Sequence, residues 1–451
     1  MASLLRMKYR WSDLPAILRN PLASQFIREG IRSQAWPMYR LVASVYRRTV
    51  LRKTRVVAVT GSFGKTTTCR AVAVALGVEI QSGTNHKSGL AQRLLNQSPK
   101  DLYCVLEAGI DGPGQMRGFA KMMRPDIAVV SGIGTEHSRS LGTLERTRDE
   151  KAELAAALSP GGLAILNADV PLAASIRTRT RARTALCGFA PEADVRVEGY
   201  RLDWPKGIEL RASVRGESVT VRTAVLGRHM AFPVLAALVA AQEEGIPLAV
   251  AAARLGRLQP PPGRMRLIPL ENGVVFVDDS FKGSFESFVA AVDAFAELPG
   301  KRRLMIVGDI TEPPGRQSDA YRSLGESFAG VSGGLIFHIG REAQFLRSGA
   351  KRAGFPADRI VSLGPDVLPA LERIREIVEP GDTVLLKGRD TQKLGRIPMA
   401  FQGLDVRCGI RFCDRRMGGC STCPMLARGW RGLPEFMDQR ARLKTRRKRA
   451  G

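Results

Sequence analysis

The run Arg55 to Val59 (RVVAV) is almost wholly apolar and ends in a glycine-containing loop, the pattern of a strand buried on both faces. Beyond the loop, Lys65 to Leu76 places Ala71, Val72 and Ala75 at helical spacing. Similar apolar runs recur at Tyr103 to Leu106, Ile127 to Val130 and Leu163 to Leu166, with helical stretches between them. Strands alternating with helices predict a doubly wound α/β sheet with parallel strands. From Val195 to Leu226 the rhythm changes to every second residue: Val195 and Val197, Ile208 and Leu210, Val219 and Val221. With Pro205, Gly207 and Gly216 as punctuation, this predicts a small antiparallel β subdomain. A helix from about Phe232 to Glu244 restores the first pattern.

The stretch Gln259 to Gly263 (QPPPG) cannot continue a helix and reads as a linker. A second strand–helix alternation follows, with strands expected at Val274 to Val277, Leu304 to Val307, Leu335 to Ile339, Ile360 to Leu363 and Thr383 to Leu386. The expected organisation is a basic helical leader (1–54), a central α/β domain (55–258), a C-terminal α/β domain (264–395), a cysteine-bearing segment (396–428) and a basic tail (429–451).

At 451 residues the chain is too long for one ordinary core, in keeping with two main domains. No run of about 18 apolar residues is present, which excludes an obvious spanning helix. The amino-terminal stretch has no secretory pattern, so a cytoplasmic location is expected. The net charge of +26 is spread along the chain and reads as an arginine-rich solvated surface rather than a nucleic-acid footprint. Two stretches concentrate it: residues 1–55, and Arg440 to Arg449, whose composition is that of a disordered tail. Either suits an anionic membrane surface.

Candidate chemistry begins at Thr60-Gly61-Ser62-Phe63-Gly64-Lys65-Thr66-Thr67, between the first strand and its helix. Glycines let backbone N–H groups face phosphate oxygens, and the helix N-terminus adds a favourable dipole. Lys65 can reach β- and γ-phosphates, and the Thr66 hydroxyl can ligate Mg²⁺. The usual earlier glycine of such loops is replaced by Val59.

TGSFGKTTT resembles the phosphate loop of the Mur ligase family, which also dispenses with that earlier glycine. Further motifs follow in the family's order over about residues 55–395. Glu107 in VLEAG resembles the family's Mg²⁺-binding glutamate, His137 in GIGTEH its metal-binding histidine, and Lys151 in DEKAEL the lysine that most members carbamylate. LAILNADV, with Asn167 and Asp169, resembles a later strand end. In the C-terminal half, PPPGRM (Arg264), VDDS (Asp278, Asp279, Ser280) and VLLKGRD (Lys387, Gly388) resemble the start, first strand and late Lys-Gly motif of the family's Rossmann-like closing domain. The branch that adds D-alanyl-D-alanine is the most similar.

The resemblance implies an ATP-dependent ligase that joins a carboxylate to an amine through an acyl phosphate. ATP would lie on residues 60–67, with Asn85, His229, Arg264 and Asp279 also contacting the nucleotide. Lys65, Glu107, His137, Lys151, Arg264, Asp279 and Lys387 would be catalytic. Thr66, Glu107, His137 and carbamylated Lys151 would hold Mg²⁺. The chain departs from the family at Met230 and Pro233, at Thr84-Asn85-His86 and at Lys282-Gly283-Ser284-Phe285, where asparagine-containing stretches are usual. Only about 55 residues precede the loop, too few for the family's nucleotide-sugar-binding domain, which favours a lipid-linked or freestanding acid. Two rival readings are a nucleotide-binding module without ligation and a nucleic-acid-associated P-loop ATPase.

Four of the seven cysteines cluster as Cys408-x4-Cys413-x6-Cys420-x2-Cys423. Such spacing suits a structural Zn²⁺ knuckle, with an iron–sulfur cluster as the alternative. Cys69, Cys104 and Cys187 lie in apolar runs and read as core residues.

Overall fold

A computed structural model describes residues 35–79, 87–136, 138–331, 333–413, 419–423 and 425–429. Helix α1 (Trp36–Thr49) leads into β1 (Arg55–Thr60), the phosphate-type loop and α2 (Lys65–Leu76). Then come α3 (Lys87–Leu95), β2 (Tyr103–Glu107), α4 (Gln115–Met123), β3 (Ile127–Val130), α5 (Leu144–Ala156), β4 (Leu163–Asn167) and β5 (Arg183–Gly188). A meander of β6 (Val195–Asp203), β7 (Gly207–Val214) and β8 (Glu217–Thr223) precedes α6 (Ala231–Glu243) and α7 (Leu248–Leu255).

These eight strands form one sheet in the order β2-β1-β3-β4-β5-β6-β7-β8. The pairs from β2 to β6 are parallel and the last two antiparallel. The antiparallel part is not a separate subdomain: β6 continues the parallel sheet through Cys187 opposite Val195 and Gly188 opposite Arg196. β1 to β5 read as unbroken apolar runs because helices cover both faces. One layer buries Val57, Val59 and Ile165 against α2 and α6; the other buries Ala58, Leu106 and Leu166 against α3, α4 and α5. α6 is apolar all round (AFPVLAALVAAQE) because it packs in the interior, with Pro233 tolerated in its first turn. The described part of the expected leader packs on this domain. Arg47 of α1 donates to the Met123, Leu51 and Arg124 carbonyls and pairs with Asp126 at 3.2 Å.

The second unit comprises β9 (Arg266–Pro269), β10 (Val275–Asp279), α8 (Phe285–Glu297), β11 (Arg303–Val307), α9 (Gln317–Ser327), β12 (Leu335–His338), α10 (Ala343–Arg352), β13 (Ile360–Ser362), α11 (Val367–Ile377), β14 (Thr383–Lys387) and α12 (Arg396–Phe401). Its strand order is β13-β12-β11-β14-β10-β9, parallel except for β9. In both sheets the chain reverses direction across the sheet next to a central strand. The crevice at the carboxyl ends of those strands is where open α/β sheets bind ligands.

Candidate functional site

Between β1 and α2 the backbone needs glycine twice. A Cβ on Gly61 (φ +150°) would collide with the Ser131 hydroxyl, and Gly64 holds a left-handed φ of +76° at the start of α2. The loop is stitched to the end of β3. Ser62 Oγ accepts from the Gly134 N–H at 2.9 Å, the Ser62 N–H donates to the Gly132 carbonyl, and Ser131 Oγ donates to the Phe63 carbonyl. The N-terminus of α2 thus opens into the switch-point crevice, a position suited to phosphate.

Lys65 folds back over the loop. Its ammonium donates to the Gly61 carbonyl at 2.7 Å and pairs with Glu136 at 2.9 Å. The other Glu136 oxygen accepts from Lys282, which lies between β10 and α8. Thr135, next to Glu136, donates its N–H and hydroxyl to Glu286 at 2.6 and 3.2 Å. The loop after β3 therefore bridges the phosphate-type loop and the first helix of the second unit.

Lys151, on α5, completes the cluster. It is 1% exposed, and its ammonium nitrogen has no hydrogen-bond partner among the described residues. Burial, reinforced by the Lys65 and Lys282 charges and opposed by Glu136, pushes its pKa down to about 7. Glu107 ends β2 directly across from Val59 and is buried. Thr66 is half-buried at the start of α2. His137 and Asn85 lie outside the described residues.

In the second unit, Asp279 ends β10 opposite Lys387 of β14, and the two form a buried ion pair at 2.7 Å. Burial raises the Asp279 pKa, against the opposing charge of Lys387. Lys387 also donates to the Lys282 carbonyl at 2.6 Å. Arg264 is half-buried with its guanidinium 4.8 Å from the Phe281 ring centre, and its charge reaches Asp279, Lys282 and Lys387. His229 precedes α6 within electrostatic reach of Lys387. Asn167 and Asp169 are local ties: Asn167 donates to the Ser131 carbonyl, and Asp169 caps the Phe189 and Ala190 N–H groups. Asp278 likewise accepts from the Ser280 N–H and hydroxyl.

Glu136 and Lys282 were not among the expected site residues, although they link its two halves. Lys282 stands in the departing Lys-Gly-Ser-Phe stretch, and Glu136 immediately precedes His137. Both were visible signals without an evident partner.

The described start of the cysteine segment is tied to the second unit. Buried Arg396 donates to the Cys408 and Ile410 carbonyls, and the Cys413 N–H donates to the Thr391 carbonyl. Cys408 is buried and Cys413, Cys420 and Cys423 are half-buried. Burial pushes the Cys420 thiol up to about 11. Among the described residues, no group of three or more His, Cys, Asp or Glu side chains is placed to hold a metal ion. Cys420 lies within electrostatic reach of Cys408 and Cys413. Next to the segment is a cavity of about 270 Å³ lined by Arg139, Asp309, Glu312, Arg341, Arg389 and Arg411. The Nε atoms of Arg389 and Arg411 and one Glu312 oxygen are buried there without partners among the described residues.

Residues 59–241 match the family model of the Mur ligase middle domain, and residues 263–389 match that of the Mur ligase, glutamate ligase domain. The UDP-N-acetylmuramoyl-tripeptide–D-alanyl-D-alanine ligase of Bacillus subtilis (strain 168) is 27% identical over 350 residues, covering 76% of this chain and 75% of that protein. Among solved structures, MurF from Acinetobacter baumannii superposes with a TM-score of 0.73 at 23% identity, covering 81% of each chain. MurF ligase from Thermotoga maritima in complex with ADP gives a TM-score of 0.71 at 22% identity, covering 82% of this chain and 84% of that one. At these identities the structural likeness speaks to the fold.

Proposed function

Since the chain belongs to the Mur ligase family and is an ATP-dependent amide-bond-forming ligase, we propose that residues 60–67 hold the ATP phosphates while Lys65, Glu107 and Lys151 carry the chemistry. The observation that carries this assignment is the buried Lys151 amine, partnerless and drawn down to about 7 beside Lys65 and Glu136. A neutral amine is the nucleophile that CO2 requires. Adding CO2 to it forms an N–C bond and releases one proton, and the product is a carboxylate where a cation had no partner.

The residues present fit Mg²⁺ as well as ATP. The Thr66 hydroxyl, at the start of α2, and the Glu107 carboxylate, at the end of β2, are hard oxygen donors that would hold it, and a carbamylated Lys151 would add a third. The ion would supply charge neutralisation between two anions that must meet. Lys65 supplies the protein's share: with phosphate present it exchanges Glu136 for the β- and γ-oxygens. A carboxylate oxygen of the acid substrate then attacks the γ-phosphorus, breaking the bond to the bridging oxygen and releasing ADP. The incoming amine attacks the acyl carbon of the resulting acyl phosphate, and the C–O bond to phosphate breaks. The amine gives up its proton and the amide remains.

The curated relative's name points to D-alanyl-D-alanine as its amine, and an amino acid or short peptide is proposed here. Its place would be the arginine-rich cavity, where the unpartnered Arg389, Arg411 and Glu312 atoms suit a ligand bearing both a carboxylate and an ammonium group. Arg264 and Asp279–Lys387 would form the nucleotide's second wall on closure, with His229 toward the base. Zinc at the cysteine segment rests on the four-cysteine spacing alone.

The assignment is tested by phosphate release from ATP with panels of acids and amines, using mass detection of the product. Lys65→Ala and Lys151→Ala should each lower turnover by about a hundredfold or more, and a short carboxylic acid should partly restore the second. Full activity in both variants would remove the assignment.

A further inference from the structure

Helix α1 has two apolar faces, and among the described residues only one of them is packed against the rest of the chain. Trp36, Tyr39, Ala43 and Tyr46 face the central domain, where Trp36 packs edge-on against Phe119 with ring centres 5.6 Å apart. Met38, Leu41, Val42 and Val45 point outward and are 62%, 66%, 49% and 52% exposed. Their spacing of three, four and seven residues makes a continuous stripe along the helix. Single exposed apolar side chains are ordinary, but a contiguous stripe marks an interaction surface.

The helix cannot roll this stripe inward. Buried Arg47 fixes its rotation by bonding to the Met123, Leu51 and Arg124 carbonyls and to Asp126. At its carboxyl end the stripe runs into exposed Arg48, Val50, Arg52 and Lys53. Residues 35–54 contain no aspartate or glutamate at all. An exposed apolar stripe continued by cations, with no acid to repel an anion, is complementary to a negatively charged apolar boundary.

We propose that α1 docks this chain on an anionic lipid bilayer, with Met38, Leu41, Val42 and Val45 entering the headgroup boundary and Arg48, Arg52 and Lys53 meeting lipid phosphates. No helix among the described residues is long and apolar enough to cross a membrane, so the attachment is peripheral. It would set the crevice of the ligase beside a membrane-borne substrate. The inference stands on α1 alone and does not depend on which acid is ligated.

The test is co-flotation of the full chain with phosphatidylcholine vesicles, with and without about one-third phosphatidylglycerol. The expected result is recovery with the anionic vesicles only, weakening as salt rises. Leu41→Glu with Val45→Glu should lower the partition coefficient at least about tenfold, each substitution exchanging apolar burial for a repelled charge. Nucleotide-dependent phosphate release in solution should be unchanged, which shows that the variant is folded. Equal recovery of variant and wild type would transfer binding to another basic stretch and overturn the proposal. So would absence of wild-type recovery at low salt. A concentration-dependent dimer that the variant breaks, without vesicle binding, would assign the stripe to a second copy of the chain instead.

Discussion

Replacing Lys151 by Met removes a buried amine whose only compensation is electrostatic and leaves a side chain of similar length that burial favours. In an unfolded chain the amine titrates near 10.5, whereas in the folded protein burial and the Lys65 and Lys282 charges bring it to about 7. A depressed lysine pKa means that the unfolded state binds more protons throughout the interval between the two values. The contribution of Lys151 to native stability is then least favourable below about pH 7 and improves as pH rises toward 10.5. Where the difference approaches one proton, each pH unit is worth about 1.4 kcal/mol. From pH 7.5 to 9 the wild type should therefore gain about 2 kcal/mol from this group alone. Lys151→Met should lack that gain and be the more stable protein at pH 7. Urea unfolding in CO2-free buffer at several pH values, followed by tryptophan fluorescence with Trp36 and Trp204 as reporters in the first unit, gives the wild-type-minus-variant difference. Parallel stability curves for the two proteins would show that Lys151 titrates normally and would refute the neutral-amine argument. Repeating the wild-type series with bicarbonate should extend the rise to lower pH, because a carbamate at Lys151 in the folded protein binds no proton while the free lysine of the unfolded chain still does.

Other outcomes follow from the same contacts. Glu136→Gln frees Lys65 from its ion pair and removes a charge that repels phosphate, so ADP should bind about three- to thirtyfold tighter in a calorimetric titration. Weaker binding would mean that Glu136 organises the pocket rather than occluding it. Asp279→Asn leaves the Lys387 ammonium buried without its counter-charge and should cost about 3–5 kcal/mol in urea unfolding of the second unit. A loss below about 1 kcal/mol would place that pair in solvent. For the cysteine segment, elemental analysis should return about one zinc per chain, lost in Cys420→Ser with Cys423→Ser; metal-free protein with intact thiols would end the zinc reading.

The two sheets were legible because their strands are unbroken apolar runs between helices, and the expected runs at Ile127 to Val130 and Leu163 to Leu166 are β3 and the start of β4. The alternating pattern after Val195 gave strand direction correctly. It could not show that β6 would pair with β5, since alternation reports which face is buried and not which edge is free. Chemistry was legible where spacing carries it: the loop 60–67 lies between strand and helix as its glycines require. It was illegible where two distant single residues make the contact. Nothing local couples Glu136 to Lys282, 146 residues away, and each alone looks like an ordinary surface charge. The motif residues Asn167 and Asp169 illustrate the converse, since their side chains are spent on backbone ties.

That coupling has a consequence for how the two units communicate. The side chain proposed to take hold of phosphate, Lys65, and a cation of the second unit, Lys282, share one carboxylate. A triphosphate held as proposed would compete with Glu136 for Lys65 and leave Glu136 paired with Lys282. Lys282 is in turn tied through its carbonyl to Lys387, and Lys387 to Asp279, so the change in charge reaches the end of β10 through direct contacts. Thr135, adjoining Glu136, is bonded to Glu286 and shares none of the groups in that exchange. On the proposed site, nucleotide occupancy and the placement of the second unit would thereby be linked by an exchange of ion pairs. The linkage is energetic only to the extent that phosphate and Glu136 differ in their affinity for Lys65.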